Sequence, residues 1–298
     1  MSESKLVLDY MTKSVVSCLP SATLLDVREL LANNRISRVV VANDQRKPLG
    51  VISEKDIINF LLSDQSKRPL DDIMVHEAAS SNLYTIEPDA RVEEAAQTMI
   101  LKKISSLVVE SDELEGIITK ADVVNYMAIK GSDCSTEEFM TPNPVTVAPT
   151  QSIFDAIALL LQRALSRVIV VDSDKKPVGI ITLADISLAS DLTNLSTLYA
   201  AGPELAAKLL SRCCVMRRIT AADFMTKQPH CVRADSKLSE AAKLMVGYRI
   251  SGVPVVDNLG YLKGIISKTD IAESVAQCKA HQANSNSEIG ERLTPEIL

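Results

Sequence analysis

Four times the chain spells Gly-h-h-Ser/Thr-x-x-Asp, where h is apolar. The copies are Gly50-Val51-Ile52-Ser53 with Asp56, Gly116-Ile117-Ile118-Thr119 with Asp122, Gly179-Ile180-Ile181-Thr182 with Asp185, and Gly264-Ile265-Ile266-Ser267 with Asp270. At a helix start this spacing makes a capping box, the hydroxyl meeting the N3 backbone N–H and the carboxylate reaching back. The same geometry suits a ligand. Free N–H groups at a helix N-terminus, with a Ser/Thr hydroxyl added, can hold a phosphate. A carboxylate accepts from two adjacent hydroxyls, which matches the cis-diol of a ribose. The leading glycine lets backbone approach closely or turn tightly. Both readings stay open, copy by copy.

Phosphate also calls for cations, and here the copies diverge. Upstream of each motif stand Arg35-Ile36-Ser37-Arg38, Lys103-Ile104-Ser105-Ser106, Ala164-Leu165-Ser166-Arg167 and Arg249-Ile250-Ser251-Gly252. Arginine closes this element only in the odd copies, as Arg38 and Arg167. These two side chains are candidates for the phosphate side of a ligand, with Ser53, Thr119, Thr182 and Ser267. Two arginines weaken the case for a triphosphate, which wants several cations. A strand-end arginine paired on the surface is the alternative.

The elements that must position these residues recur with them. Each copy opens near a methionine (Met11, Met74, Met140, Met225), which lies 39, 42, 39 and 39 residues ahead of the glycine. A short apolar segment follows, then a stretch of helical apolar spacing such as Leu24, Val27, Leu30 and Leu31. Next come a β-rich run such as Val39-Val40-Val41, a polar turn, the glycine strand and a second helix. The turn of the second copy is two residues shorter, at Glu110 to Glu113. Each unit reads β-α-β-β-α.

A unit of this size with a thin sheet buries little alone, so neighbouring units are expected to pair sheet against sheet. Gly-to-Gly spacings of 66, 63 and 85 residues give two pairs, with additional helix inserted in the second. The expected class is α/β (α+β), four repeats arranged as two paired modules. The divisions are 5–64, 68–130, 135–190 and 220–279 for the repeats, 191–219 for the inserted helical segment and 280–298 for a polar tail.

Composition excludes several functions. Of 298 residues 46% are hydrophobic, and the net charge of -6 offers no basic field for nucleic acid. With Trp 0, Phe 4 and Tyr 6, stacking platforms for single strands are scarce. No apolar run approaches a bilayer span, and the N-terminus lacks signal architecture, so a cytoplasmic protein without membrane attachment is expected. Six cysteines include no Cys-x-x-Cys pair, and the neighbours Cys213 and Cys214 read as thiols of one helical segment. No P-loop, Gly-x-Gly-x-x-Gly or zinc-deaminase pattern is present, so no enzyme, metal or catalytic cofactor is expected.

The four motifs in register resemble the CBS domain, here as two tandem pairs (Bateman modules) over about residues 5–130 and 135–278. The resemblance implies antiparallel packing of two units per module and adenosine-type ligands in clefts between paired sheets. It implies that Asp56, Asp122, Asp185 and Asp270 hold ribose hydroxyls, with Ser53, Thr119, Thr182 and Ser267 on the phosphate side. One or two occupied clefts per module are expected. Adenylate-sensing members often carry His-Arg where this chain has Ser37-Arg38, and serine replaces that histidine in every copy. The expected function is a free-standing sensor of AMP, ADP or ATP acting on a separate protein partner through ligand-dependent packing. S-adenosylmethionine is the rival ligand, although its sulfonium would avoid arginine, and a scaffold with empty clefts is a third reading. Self-association is expected too, either as two modules stacked within the chain or as a homodimer.

Overall fold

The computed structural model describes residues 5–34, 36–53, 56–57, 60–61, 68–80, 82–111, 113–163, 165–182 and 219–277. Asp185, the segment from 191 to 218, Cys213, Cys214, Cys278 and the polar tail lie outside the described residues. The described cysteines Cys18, Cys134 and Cys231 are free thiols.

Within the described residues each repeat follows its pattern, with one addition: a single helical turn precedes it. Repeat 1 runs α1 (Val7–Tyr10), β1 (Ser17–Cys18), α2 (Leu24–Asn34), β2 (Arg38–Ala42) and β3 (Pro48–Ser53). Repeat 2 runs α3 (Val75–Ala78), β4 (Thr85–Ile86), α4 (Val92–Leu101), β5 (Ser106–Glu110), β6 (Leu114–Thr119) and α5 (Lys120–Lys130). Repeat 3 comprises α6 (Thr136–Phe139), β7 (Thr141–Pro142), β8 (Thr146–Val147), α7 (Ile153–Gln162), β9 (Arg167–Val171) and β10 (Pro177–Thr182). Repeat 4 comprises α8 (Ala221–Phe224), β11 (Thr226–Lys227), β12 (Val232–Arg233), α9 (Leu238–Gly247), β13 (Gly252–Val256), β14 (Leu262–Ser267) and a helix over 268–277.

In every sheet the first strand lies parallel to the second across the helical crossover, and the third returns antiparallel. The β-branched runs Val39-Val40-Val41, Leu107-Val108-Val109 and Val168-Ile169-Val170 are buried on both faces. One face meets the helices of its own repeat. In the first module the other meets the partner sheet through Val40, Val108, Leu114 and Ile117.

Within each module the opening segment of one repeat is carried by the sheet of the other. Thr12 bridges to Ile117 and Ser80 to Val51; β7 pairs with β14, and β11 with β10. The one-turn helices dock crosswise too: Val7 N–H donates to Ala90 O at 2.8 Å and Val75 N–H to Ala22 O at 2.8 Å. This exchange accounts for the motif glycine. A Cβ on Gly116 would sit 2.5 Å from Met11 Sδ, and one on Gly264 the same distance from Met140 Sδ. Met225 covers Gly179 in the same way.

The expectation that Met74 opens the second copy is corrected. Met11, Met140 and Met225 are the C-caps of their one-turn helices, whereas Met74 is an N-cap. The residue in the C-cap place is Ala79, beside Gly50, where the closest approach is Ser80 O. The longer Met-to-Gly interval of that copy came from aligning the wrong residue; counted from Ala79, the interval is shortened by the two residues missing from the β5–β6 turn.

The modules meet inside the chain. Helix α5 of repeat 2 packs on α9 of repeat 4, and Val123, Val124 and Met127 share one continuous core with Ala241, Ala242, Met245, Ile271 and Val275. This is the intramolecular stacking foreseen as one of two forms of self-association.

Candidate functional site

The capping boxes are real in the three copies that can be described. Asp56 Oδ2 accepts from Ser53 N–H at 2.9 Å and from its hydroxyl at 2.6 Å. Asp122 Oδ2 accepts from Thr119 at 2.7 and 2.8 Å, and Asp270 Oδ2 from Ser267 at 2.6 and 2.7 Å. A carboxylate has about four acceptor positions, so two bonds on one oxygen leave capacity for a diol. The cap therefore holds each aspartate still without using it up. Thr182 ends β10, as its counterparts Ser53, Thr119 and Ser267 end their strands.

All four repeats converge on a cavity of about 290 Å³. Its wall takes the same serine from each copy: Ser37, Ser105, Ser166 and Ser251. Thr119, Ser267 and Thr269 add hydroxyls, and Arg38, Arg167, Lys120 and Lys268 add four cations. Among the described residues no Asp or Glu lines it. Thus the structure brings together Arg38, Arg167, Thr119 and Ser267 of the expected site residues, whereas Ser53 and Thr182 are not part of this wall. The sequence reading counted two cations and missed Lys120 and Lys268, which follow Thr119 and Ser267 directly. Their signal was an alternation: odd copies place arginine at the strand start, and even copies place lysine after the hydroxyl.

The arginines are held across the middle of each module. Arg38 donates through Nη1 to Ser106 Oγ and through Nη2 to Ser105 Oγ at 2.9 Å. Its Nε is buried with no hydrogen-bond partner among the described residues. Arg167 donates through Nη2 to Ser251 Oγ at 2.8 Å, and its guanidinium fills the space a Cβ at Gly252 would need. Each odd-copy arginine thus lies over the small residue at its own position in the even copy. The gap between two symmetry-like strands admits one guanidinium, which is why the even copies have Ser106 and Gly252.

Burial lowers the pKa of Arg38 and of Arg167, opposed by Asp56 for the first and Asp270 for the second. The lysines exchange between modules. Lys120 Nζ donates to Thr269 Oγ1 at 3.1 Å. Burial lowers its pKa, Asp270 of the other module raises it, and Arg38 lowers it further. Lys268 is likewise lowered by burial and by Arg167, with Asp122 of the first module opposing. Asp122 itself is raised, because its burial outweighs the bonds from Thr119 and the charge of Lys268. Half-buried cations close enough to lower one another's pKa, with hydroxyl donors around them, have the chemistry to receive an anion. Among the described residues no group of three or more His, Cys, Asp or Glu could hold a metal, and no helix is long and apolar enough to cross a membrane.

Paired sheets with exchanged opening segments and strands ending in Ser/Thr-x-x-Asp caps define a tandem module of paired repeats. The chain belongs to the CBS domain family, whose model matches residues 7–63, 71–129, 137–191 and 221–277. It is a four-repeat member forming two Bateman modules. It is 24% identical over 279 residues to protein MJ1225 of Methanocaldococcus jannaschii, covering 89% of this chain and 96% of that one. The crystal structure of MJ1225 superposes with a TM-score of 0.67 at 22% identity, covering 90% and 99% of the two chains, and this likeness shows the fold. A second relative, MJ1404 of the same organism, is 26% identical across 92% of this chain, which spans 62% of its length. CBSX2 from Arabidopsis thaliana, crystallised in complex with AMP, is 30% identical over 49% of this chain and 98% of its own, with a TM-score of 0.38.

Proposed function

We propose that this protein senses adenosine nucleotides in the cytoplasm and passes their presence to a separate protein partner. AMP, ADP or ATP would lie in the clefts between paired sheets. Asp56, Asp122, Asp185 and Asp270 are assigned to the ribose diols. Ser53, Thr119, Thr182 and Ser267 are assigned to the phosphate side, with Arg38 and Arg167 and, in addition, Lys120 and Lys268. The observation that carries this reading is the wall of four cations and seven hydroxyls, with no carboxylate among the described residues, between the capped aspartates of both modules. It also tells against S-adenosylmethionine, whose sulfonium would face four like charges. Binding can shift module packing only by the ligand's differential affinity for the two arrangements. A phosphate touching residues of both modules has such a difference built in.

The test is calorimetric titration with AMP, ADP, ATP and S-adenosylmethionine, repeated on Asp56→Asn, Asp122→Asn, Asp185→Asn and Asp270→Asn. Saturable nucleotide binding is expected, reduced in the variant whose cleft is occupied, with S-adenosylmethionine weaker. Preference for S-adenosylmethionine, or no binding and no rise in melting temperature with any of the four, would overturn the reading. The second outcome would leave the motifs as helix caps of a scaffold.

A further inference from the structure

We infer that copies of this chain join end to end, a leucine knob on the second module of one copy entering a socket on the first module of the next. The strands define the two ends. Central strands β2 and β9 start at the cavity between the modules with Arg38 and Arg167. Their hairpin turns lie about 17 Å away, at about 3.3 Å for each residue of the strand. The modules lie on opposite sides of that cavity, so their turns form the far ends of the molecule. At the second module's end, the turn of repeat 4 presents Leu259, 71% exposed, and Tyr261, 39% exposed. The turn is braced. Asp257 Oδ1 accepts from Leu259 N–H at 2.9 Å and from Tyr261 N–H at 3.0 Å, and Leu262 N–H donates to Lys175 O of repeat 3 at 3.0 Å. Gly260 takes the left-handed φ of 84° that closes it. A leucine held this far into water on a fixed turn, with a tyrosine beside it, is an apolar patch ready for a partner.

The first module's end is the complement in shape and in charge. The turn of repeat 2 is two residues shorter, so that end is recessed where the other protrudes. In the recess lies a socket of about 140 Å³, floored by Ala42 and Leu114 and rimmed by Leu19, which is 42% exposed. Ligand pockets begin at about 300 Å³, so this one suits a single branched apolar side chain. Around the knob stand Lys175, Lys176 and Lys263, and Lys176 Nζ lies 5.4 Å over the Tyr261 ring. Among the described residues none of the three makes an ion pair. Two of the three aspartates there are folded into their turns, since Asp172 Oδ1 and Asp257 Oδ1 each accept from two backbone N–H groups; Asp174 is the third. The socket end carries Asp44, Glu110, Glu113 and Glu115 against Arg46 and Lys47. Arg46 is engaged there, with Leu114 O at 3.1 Å and Glu113 Oε2 at 3.9 Å. One position shows the contrast directly: the residue ahead of the motif glycine is Lys263 in repeat 4 and Glu115 in repeat 2. Knob and socket are different surfaces, so the contact is heterologous, and each added copy leaves a free knob or socket for the next.

The experiment is sedimentation velocity of the full chain from about 1 µM to about 1 mM, the range in which a small interface fills. Average mass should rise with concentration and pass beyond the dimer. Association should weaken at least about fivefold in 1 M salt, where the Debye length falls to about 3 Å. Leu259→Asp removes the knob, and Leu19→Asp places a charge on the socket rim. Both residues are exposed, so each variant should keep the parent's melting temperature, and each alone should stay monomeric. Mixed in equal amounts the two variants should form one-to-one dimers and nothing larger, because one working knob and one working socket remain between them. That recovery also shows that both variants are folded. Growth that stops at the dimer, association that survives Leu19→Asp, or a mixture that stays monomeric would overturn the proposal. A parent chain that stays monomeric throughout would overturn it as well and leave the knob to a different, acidic protein. None of these outcomes bears on nucleotide binding in the clefts.

Discussion

Glu93 offers the most quantitative test of how the site is braced. Its carboxylate, on α4, is 2% exposed. Oε1 accepts from Tyr126 Oη at 2.6 Å, with Lys130 Nζ at 3.3 Å and Arg91 Nη2 at 3.4 Å. Tyr126 and Lys130 belong to α5, the helix whose N-terminus presents Lys120 and Asp122. Burial pushes the Glu93 pKa up, but the Tyr126 hydroxyl, the helix N–H groups, Arg91 and Lys130 together outweigh it and hold the group at about 2. From an ordinary value near 4.3 this depression is worth about 3 kcal/mol at 1.36 kcal/mol per unit. A depressed carboxylate gives stability that is present above the unfolded pKa and lost as pH falls through the folded one. Glu93→Gln keeps the shape and removes the charge. Urea unfolding of both proteins from pH 7 to pH 3 should therefore show a gap of about 3 kcal/mol at pH 7, closing by at most about 1.4 kcal/mol per unit below pH 4. Taking the difference between variants cancels the other carboxylates. A gap that stays constant with pH would refute the assignment and leave Glu93 as a packing residue only. Nucleotide affinity at pH 7 should change less than twofold, since ten helical residues put Lys120 about 15 Å from Lys130, beyond a Debye length of about 8 Å.

Three further outcomes follow from the same geometry. Gly252→Ala should push the Arg167 guanidinium out of place and weaken phosphate binding by about 10- to 100-fold, the worth of one charge-assisted hydrogen bond; Gly252→Ser brings the same Cβ but should do less harm, because its hydroxyl can accept from the displaced guanidinium as Ser106 accepts from Arg38. Gly50→Ala sets a Cβ 2.7 Å from the backbone oxygen of Ser80 and should destabilise by about 1–3 kcal/mol. Gly247→Ala, in a helix with nothing within 4 Å, should stabilise by about 0.4–1 kcal/mol, both being read from denaturant midpoints. Nucleotide affinity should fall as pH rises through the lowered range of Lys120 and Lys268, beneath the usual value of about 10.4, with proton uptake on binding seen as a buffer-dependent heat; a flat profile up to that value would place neither lysine at the phosphate.

Much of this architecture was legible because a repeated error-free pattern is hard to mistake. Four glycine motifs at matched distances gave the unit, and the Val-rich runs before them gave the buried central strands. The crosswise docking was not legible. Nothing in the spacing of Met11 and Gly116 says that they touch, because within one copy the methionine is read against its own glycine, Gly50. For the same reason Met74 passed for an equivalent of Met11, when the residue in that place is Ala79. The capping box and the ligand reading of Ser/Thr-x-x-Asp are compatible rather than rival, since the cap occupies one oxygen of Asp56, Asp122 and Asp270.

The cations of the cavity show most clearly why single copies mislead. Compared position by position, Arg38 and Arg167 look like features the even copies lost. In the fold, Arg38 lies on Ser106 and Arg167 over Gly252, so a second arginine in either module would be driven into the first. The pairing of strands across each module therefore forces the asymmetry. The even copies restore charge from another place, one residue past the hydroxyl, where Lys120 and Lys268 reach toward the aspartate of the opposite module. Had the even copies kept arginine, each module could have closed its own site. Because they use lysines that cross between modules, the anion site exists only when both modules are in contact. That dependence is what a sensor needs if ligand binding is to be read as a change in how its halves are packed.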